Sequence, residues 1–314
     1  MSPAAPRLRL LHPADGPPAR LYARQLLGRC LLPASGPLDC AVSGGADSLA
    51  LLVLASEAGL EPVAHHVDHG LRPGSAKEAE LVAAAARRLG AGFVSLRVEL
   101  SPGPNLEARA RAARFAVLPA GVATGHTADD QAETVLINLL RGAGAAGLGA
   151  MTPGGRHPLL QLRRSETEAV CREAGLDWFE DPSNNETGPL RNRIRQDLLP
   201  RLAEAAGRDL VPVLCRQADL LRADEELLEE LAGAIEATCC RELAAAPLPL
   251  ARRAVRRLLR EAGGAGYPPS VAAVDRVLQV AAGGPLACDV GGGIAVRRRR
   301  GQLVVEKNSL PTLR

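Results

Sequence analysis

Short apolar runs alternate with stretches of helical periodicity between residues 38 and 140. Strands are predicted for four of the apolar runs: 38–42, 62–67, 92–98 and 121–126. Helices are predicted for the stretches that follow them: 47–58, 75–89, 106–117 and 128–140. This alternation predicts an α/β fold in which helices cover a parallel, Rossmann-like sheet. Because ligands bind at the carboxyl ends of the strands in such sheets, the turns that follow the strands are expected to carry the site.

The pattern changes after residue 150. Helical periodicity recurs within 197–240 and 245–282, and the run from 286 to 307 predicts a β-hairpin or meander. We therefore expect an N-terminal extension of residues 1–35, a catalytic α/β domain of residues 36–215, and a smaller, mainly helical α+β domain of residues 216–314. We expect no additional C-terminal domain.

Composition excludes several classes of protein. Hydrophobic residues make up 46% of the 314 residues, which is enough for a sizeable core, and the net charge of +3 does not by itself indicate nucleic-acid binding. The seven cysteines are an odd number and include no C-x-x-C pair, so neither a disulfide framework nor a zinc or iron–sulfur site is expected. No signal peptide or membrane-spanning run is visible, and the predicted location is the cytoplasm, with no membrane partner.

The stretch S-G-G-A-D-S, between the first strand and its helix, is rich in glycine and hydroxyl groups. Gly44 and Gly45 permit positive φ and close approach of the backbone, and the first N–H groups of a helix favour an anion. No G-K-[ST] follows, which excludes a Walker loop and leaves a plain glycine turn as the alternative to a phosphate site. The predicted cofactor-binding residues here are Ser43, Gly44, Gly45, Ala46, Asp47 and Ser48.

Charged side chains recur on two later helices. Arg111 and Arg114 share one helix face with Glu107, and this group either contacts phosphates or forms solvated salt bridges. Asp130 and Glu133 lie in the first turns of another helix. Acids there bind Mg²⁺, hold an ammonium group, accept its proton, or interact favourably with the helix dipole, and the sequence does not divide these roles.

Histidines lie at the ends of two of the predicted strands. Three of them fall within 65–75, where they either face a nucleotide or form a hydrogen-bonded loop, and His126 precedes the helix of Asp130. We predict that His126 and Arg114 bind the cofactor. The predicted catalytic residues are Asp130, Glu133 and Arg111, and the predicted metal ligands are Asp47, Asp130 and Glu133.

Basic residues cluster in two later segments. Residues 180–200 combine asparagines with alternating arginines, which predicts either a basic helix surface or contacts to nucleic-acid phosphates. The predicted nucleic-acid contacts are Asn184, Arg191, Asn192, Arg193 and Arg195. The last domain offers either further phosphate contacts or a solvated basic face at Arg252, Arg253, Arg256, Arg257 and Arg297–Arg300.

Several of these motifs together resemble one family. The S-G-G-A-D-S loop is similar to the pyrophosphate loop, or PP-loop, of the N-type ATP pyrophosphatases. Its combination with H-V-D-H-G-L-R, N-L-E-A-R-A-R-A-A-R-F, G-H-T-A-D-D-Q-A-E-T, P-L-L and R-N-R-I-R, in that order, resembles the tRNA(Ile)-lysidine synthase family. The chain departs from the family's R-P-L-L, because His157 precedes Pro158 and Arg156 lies one residue earlier.

The resemblance implies a reaction and its partners. ATP would adenylylate the C2 oxygen of the wobble cytidine in the CAU anticodon of tRNA(Ile). Free lysine would then displace AMP to form lysidine, changing the codon read from AUG to AUA. The family also implies a PP-loop catalytic domain followed by a tRNA-binding domain, ATP and Mg²⁺ as cofactors, and a possible homodimer.

Three alternatives remain at this stage. Another PP-loop enzyme acting on tRNA, such as a thiolase, would need a reactive cysteine or a cysteine-bound cluster. A synthetase for a small metabolite would not need the basic segment at 180–200. A non-catalytic protein that binds nucleotide and tRNA would not need the acidic side chains of Asp47, Asp130 and Glu133.

Overall fold

The computed structural model describes residues 20–68, 75–98, 106–179, 190–263 and 269–307. The chain divides into two compact units, Met1–Asp219 and Leu220–Arg314, and each has a hydrophobic core of its own. Within the described ranges, no helix combines the length and the apolar character that crossing a bilayer would require.

A four-stranded parallel sheet organises the first unit, which confirms the predicted α/β fold. Its strands are β1 (Pro37–Ala41), β2 (Glu61–Asp68), β3 (Gly92–Arg97) and β4 (Ala123–Thr124). They are arranged in the order β3-β2-β1-β4. The strands β2 and β3 therefore lie on one side of β1, and β4 lies on the other side. This reversal makes the gap between β1 and β4 the point where a sheet of this kind opens a ligand crevice.

The prediction for the fourth strand, residues 121–126, is too long. Gly121 has φ +78°, a left-handed conformation that ends the extended run, and only Ala123 and Thr124 pair with β1. Beyond them, Gly125 lies directly against the backbone of the helix that follows β1. Backbone torsion and close packing, which hydropathy does not register, shorten this strand.

Helices connect the strands and carry the side chains discussed below. The connecting helices are α2 (Ala46–Glu57), α3 (Ser75–Leu89), α4 (Leu106–Val117) and α5 (Ala128–Leu140). Their bounds agree with the predicted ones to within one residue. All eight residues from 48 to 55 in α2 are buried, as expected for a helix that is apolar on every side. This rigid central helix fixes the position of the loop that precedes it.

The first unit contains several further helices. They are α1 (Leu21–Leu26), α6 (Ala145–Leu148), α7 (Arg164–Glu173), α8 (Leu190–Arg193), α9 (Leu199–Ala206) and the start of α10 (Val211–Gly233). Residues of α1 and α7 pack into the same core as α2, including Ala23 and Leu26 from the predicted N-terminal extension. The continuous helical stretch predicted for 197–240 is broken, because Gly207 ends α9 with φ +64° and the Asp209 side chain caps the start of α10.

The second unit combines helices with a small antiparallel sheet. Its elements after α10 are α11 (Cys240–Ala245), α12 (Leu248–Gly263), α13 (Val271–Ala281), β5 (Ala287–Gly291), β6 (Ile294–Arg299) and β7 (Gln302–Lys307). The three strands form a meander in the order β5-β6-β7, one of the two predicted arrangements. Val255, Val277 and Val296 are fully buried where helices and sheet meet.

A substitution at Gly125 tests how the sheet holds the loop after β1. A Cβ at this position would lie 2.4 Å from the carbonyl oxygen of Asp47 and 2.8 Å from the nitrogen of Ser48. We expect Gly125→Ala to lower the free energy of unfolding by about 1–3 kcal/mol, because backbone must move to admit the methyl group. Urea unfolding measures this. Gly28→Ala is the matched control, since open space surrounds Gly28, and equal midpoints for the two variants would refute the expectation.

Candidate active site

The loop from Ser43 to Ser48 is held in one shape by its own polar groups. Gly44 has φ +93°, and the Ser48 hydroxyl donates to the carbonyl of Gly45 at 2.8 Å while accepting from the N–H of Ser43 at 3.2 Å. Phe179 donates its N–H to the carbonyl of Gly44 at 2.9 Å. All six predicted cofactor-binding residues of this loop thus lie at the start of α2, where helix N–H groups attract anions.

Two histidines of β2, His65 and His66, form hydrogen bonds with groups on β1 or directly after it. The His66 ring nitrogen Nδ1 is 2.9 Å from the carbonyl of Val42, and His65 Nε2 is 2.6 Å from the carboxylate of Asp39. Both rings are buried. The segment was predicted either to face a nucleotide or to form internal hydrogen bonds, and these two residues match the second alternative. The third histidine and Arg72 lie outside the described residues.

Three acidic residues from two helices meet around one arginine. Arg164 Nε is 3.2 Å from Asp47 Oδ2, its Nη2 is 3.1 Å from Asp130 Oδ1, and its Nη1 is 3.7 Å from Glu133 Oε1. Asp47 begins α2, Arg164 begins α7, and the other two acids belong to the first turns of α5. The Thr167 hydroxyl also donates to Asp47. We call Asp47, Asp130, Glu133 and Arg164 the acidic cluster.

Two arginines of the predicted basic segment turn toward this cluster. Arg195 contacts both carboxylate oxygens of Glu133, at 2.6 and 3.0 Å, and Arg191 Nε lies 3.1 Å from Glu133 Oε2. The Glu133 side chain is only 1% exposed. Residues 191 and 195 share a helix face because they are four apart, whereas Arg193 between them is exposed. The segment therefore presents one basic face to the acids and a different one outward.

Burial and neighbouring charges shift the pKa values of Asp47 and Asp130 in opposite directions. Burial raises the pKa of Asp47, although Arg164 and Thr167 oppose this. Burial also opposes ionisation of Asp130, but Arg164 and the backbone N–H of Thr127 outweigh it and lower the pKa of Asp130. The N–H of Thr127 donates to Asp130 Oδ2 at 3.0 Å, so one oxygen caps α5 while the other faces Arg164.

The observed geometry does not form a metal-binding group. Among the residues that the structure describes, no three His, Cys, Asp or Glu side chains are placed to share an ion. The sequence predicts Asp47, Asp130 and Glu133 as joint Mg²⁺ ligands, but the Arg164 guanidinium lies between them. The three guanidinium groups of Arg164, Arg191 and Arg195 already balance the three carboxylates. The arrangement therefore does not fit a magnesium ion held jointly by these three side chains.

Several other predicted residues lie elsewhere. Asn184 and the side chain of Arg111 are outside the described residues, and Arg111 is placed only as a position on α4. Arg114 lies on the same helix, with its guanidinium 5.5 Å from the ring centre of Phe115. Asn192 is buried, and His126 follows β4 with its Nδ1 2.6 Å from the Thr124 hydroxyl oxygen.

Arg164 is a site residue that the sequence analysis misses. A signal was present, because two arginines begin a helix at a terminus where the helix dipole disfavours cations. Such arginines need carboxylate partners. Arg163 pairs with Asp129 and Asp209, and Arg164 pairs with the acidic cluster.

Comparison with known proteins identifies the family. A model described as "PP-loop domain" matches residues 26–202, and one described as "TilS substrate binding domain" matches residues 239–304. The tRNA(Ile)-lysidine synthase of Nocardia farcinica is 39% identical, over 88% of this chain and 94% of its own length. The chain belongs to the tRNA(Ile)-lysidine synthase family. Relatives with the same name are 40% identical in Rhodococcus opacus, over 86% and 90% of the two chains, and 39% identical in Thermus thermophilus, over 85% and 56%.

Membership confirms the resemblance drawn from the motifs. The chain is an enzyme of the lysidine synthase type, a tRNA-modifying ligase with a PP-loop domain that uses ATP. The acidic cluster and the Ser43–Ser48 loop both fall within the part that matches the PP-loop model. Sequence similarity thus assigns the type of enzyme, and the contacts above supply the local chemistry.

Proposed function

We propose that this lysidine synthase family member joins free lysine to C2 of the wobble cytidine in the CAU anticodon of tRNA(Ile). In the proposed sequence, ATP first adenylylates the C2 oxygen and releases diphosphate. The lysine ε-amine then attacks C2, and the C2–O bond breaks as AMP leaves with the electron pair. The product pairs with A, so the tRNA reads AUA in place of AUG.

The observation that carries the proposal is the acidic cluster beside the phosphate loop. Lysine approaches as an ammonium ion and must lose a proton before it attacks. Carboxylates of Asp130 and Glu133 attract such a cation, and at present a guanidinium lies against both. An ammonium group is therefore chemically suited to bind beside Arg164, next to the Asp130 carboxylate.

We assign the remaining roles by chemistry. The Ser43–Ser48 loop binds the ATP phosphates through N–H and hydroxyl groups, while His126 and Arg114 contact the nucleotide. Arg111 stabilises negative charge that develops on the transferred phosphate. Mg²⁺ is proposed only as the counter-ion of ATP, and no side chain is assigned to it.

Contacts to tRNA are proposed for the outward basic residues. In the first unit the exposed Arg193 is the candidate, whereas Asn192 is buried, and Arg191 and Arg195 have acidic partners. Asn184 stays a prediction from the sequence. In the second unit, Arg252 pairs with Asp275, Arg253 with Glu225, and Arg297 and Arg299 with Glu306. Arg256 and Arg300 are the better candidates for phosphate, because the structure gives them no acidic partner among the residues it describes.

The thiolase alternative is not supported by the cysteines. A sulfur nucleophile needs a thiolate near neutral pH. Burial raises the pKa of Cys30 and Cys215 to about 11, and that of Cys40 and Cys171 to about 12. Burial thus disfavours the thiolate form of these four cysteines, which favours the ligase. The cytoplasm is the proposed compartment because ATP, lysine and unmodified tRNA meet there, and the homodimer remains a prediction from the family.

Lysine incorporation tests the proposal directly. The purified protein is incubated with unmodified tRNA(Ile), ATP, Mg²⁺ and radiolabelled lysine, and label retained on the tRNA is counted. We expect ATP-dependent, alkali-resistant labelling that disappears in Asp130→Ala and with a transcript carrying uridine at the wobble position. ATP cleavage to AMP and diphosphate without labelling would reject lysine as substrate while keeping the PP-loop chemistry.

A further inference from the structure

A buried threonine joins two histidines at the end of β4. The hydroxyl oxygen of Thr124 lies 2.6 Å from His126 Nδ1, 2.8 Å from His157 Nδ1 and 2.9 Å from the carbonyl oxygen of Arg156. The two imidazole rings meet edge to face, with their centres 5.1 Å apart. We call Thr124, His126 and His157 the His–Thr–His cluster.

The hydrogens in this cluster can be counted. A hydroxyl oxygen 2.9 Å from a carbonyl oxygen is attractive only if the hydroxyl hydrogen lies between them. Thr124 has one such hydrogen, so it donates to Arg156 and has only lone pairs left for the histidines. Both Nδ1 atoms must then carry hydrogen and donate. The hydroxyl thereby makes all three of its hydrogen bonds.

We propose that Thr124 and His157 are positioning residues that fix His126 in its Nδ1–H tautomer. In the neutral ring, Nε2 then carries a lone pair and acts as an acceptor. The Arg156 carbonyl holds the hydroxyl hydrogen of Thr124, and His157 fills the second lone pair, so the hydroxyl does not donate to His126. Arginine, which the family pattern has before P-L-L, is also only a donor and would serve the same purpose.

The position of His126 connects this tautomer to the reaction. Gly125, before it, touches the backbone of Asp47, and Thr127, after it, donates its N–H to Asp130. The His126 backbone therefore lies between the phosphate loop and α5, and the proposed function assigns its ring to a substrate contact. An Nε2 acceptor binds a hydrogen donor, such as the lysine ammonium or an amino or hydroxyl group of adenosine. It repels an ionised phosphate oxygen.

NMR of ¹⁵N-histidine-labelled protein tests the tautomer without requiring catalysis. The chain has six histidines, and His126→Gln and His157→Gln assign the two signals. We expect protonated Nδ1 and unprotonated Nε2 in both rings. Thr124→Val, which keeps the shape without the hydroxyl, should give His126 a mixture of tautomers, and Thr124→Ser should restore the original one. An Nε2–H form in the wild type, or no change in Thr124→Val, would overturn the proposal.

Ligand titrations identify which substrate His126 faces. A non-hydrolysable ATP analogue and free lysine are added separately, in the presence of tRNA, while the His126 Nε2 signal is followed. A shift with the analogue alone assigns the donor to adenosine, and a shift that requires lysine assigns it to the ammonium group. If neither ligand moves the signal while lysidine still forms, His126 does not face substrate although the proposed function stands.

Kinetics supplies the last readout. We expect kcat for lysidine formation to fall about 10- to 100-fold in Thr124→Val, because a misoriented proton acceptor loses most of its effect. Thr124→Ser and His157→Arg, each made in the wild type, should keep most of the wild-type kcat, since each preserves the hydrogen-bond pattern. A kcat in Thr124→Val within twofold of the wild type would contradict a positioning role.

Discussion

Glu133→Ala is expected to abolish lysidine formation and to destabilise the first unit. The side chain is buried, and three guanidinium groups depend on it: Arg195 through two hydrogen bonds, Arg191 at 3.1 Å and Arg164 at 3.7 Å. Removing one partner of a buried ion pair costs about 3–5 kcal/mol, and the lower end is expected here because Arg164 and Arg195 keep Asp130 as an acidic partner. That is a large fraction of the total stability of about 5–15 kcal/mol that is usual for a domain.

Urea unfolding and the labelling assay measure the two effects separately. Glu133→Gln keeps the volume and part of the hydrogen bonding but removes the charge, so we expect a folded protein that is still inactive. Glu204→Ala on the exposed side of α9 is the matched control and should change neither stability nor activity. A Glu133→Ala protein as stable and active as that control would show that the arginines find other partners.

Arg164→Ala is expected to lower kcat/KM for lysidine formation by about 100-fold or more, with ATP cleavage reduced in parallel. Arg164 is the only side chain with described contacts to all three acids, and it links α7 to both α2 and α5. Without it, like charges repel one another and the preorganised arrangement of the cluster is lost. Losing one preorganised charged or polar group from an active site costs a factor of this size.

Two variants sharpen this experiment. Arg164→Lys keeps the charge but cannot fork between carboxylates, so we expect an intermediate rate. Arg172→Ala is the control on the same helix, because Arg172 is exposed and pairs only with Glu168 one turn away among the acids described. Steady-state rates of diphosphate release and of lysine labelling are compared for all three. Equal kcat/KM in Arg164→Ala and Arg172→Ala would remove Arg164 from the site.

The elements of the catalytic unit and its family could be predicted from the amino-acid sequence alone. Residues within one helix or strand are a few positions apart, so the apolar period in the chain directly predicts which face is buried. The bounds of α3 and α5 followed from it, and the glycines and serines after β1 marked the phosphate loop. The motif order then indicated the family that the comparisons confirm.

The pairing of the charges, in contrast, depends on how the helices pack. Asp47 and Arg164 are 117 positions apart, and no local period relates them. Arg191 and Arg195 looked like nucleic-acid contacts in the sequence, yet α8 and the π-helical turn Ile194–Leu198 that follows it pack against α5 and direct them to Glu133. Hydrophobic pattern specifies that a face is buried, whereas charge pairing depends on the distances between elements after they pack. The same reason explains why three predicted metal ligands became an arginine-centred cluster.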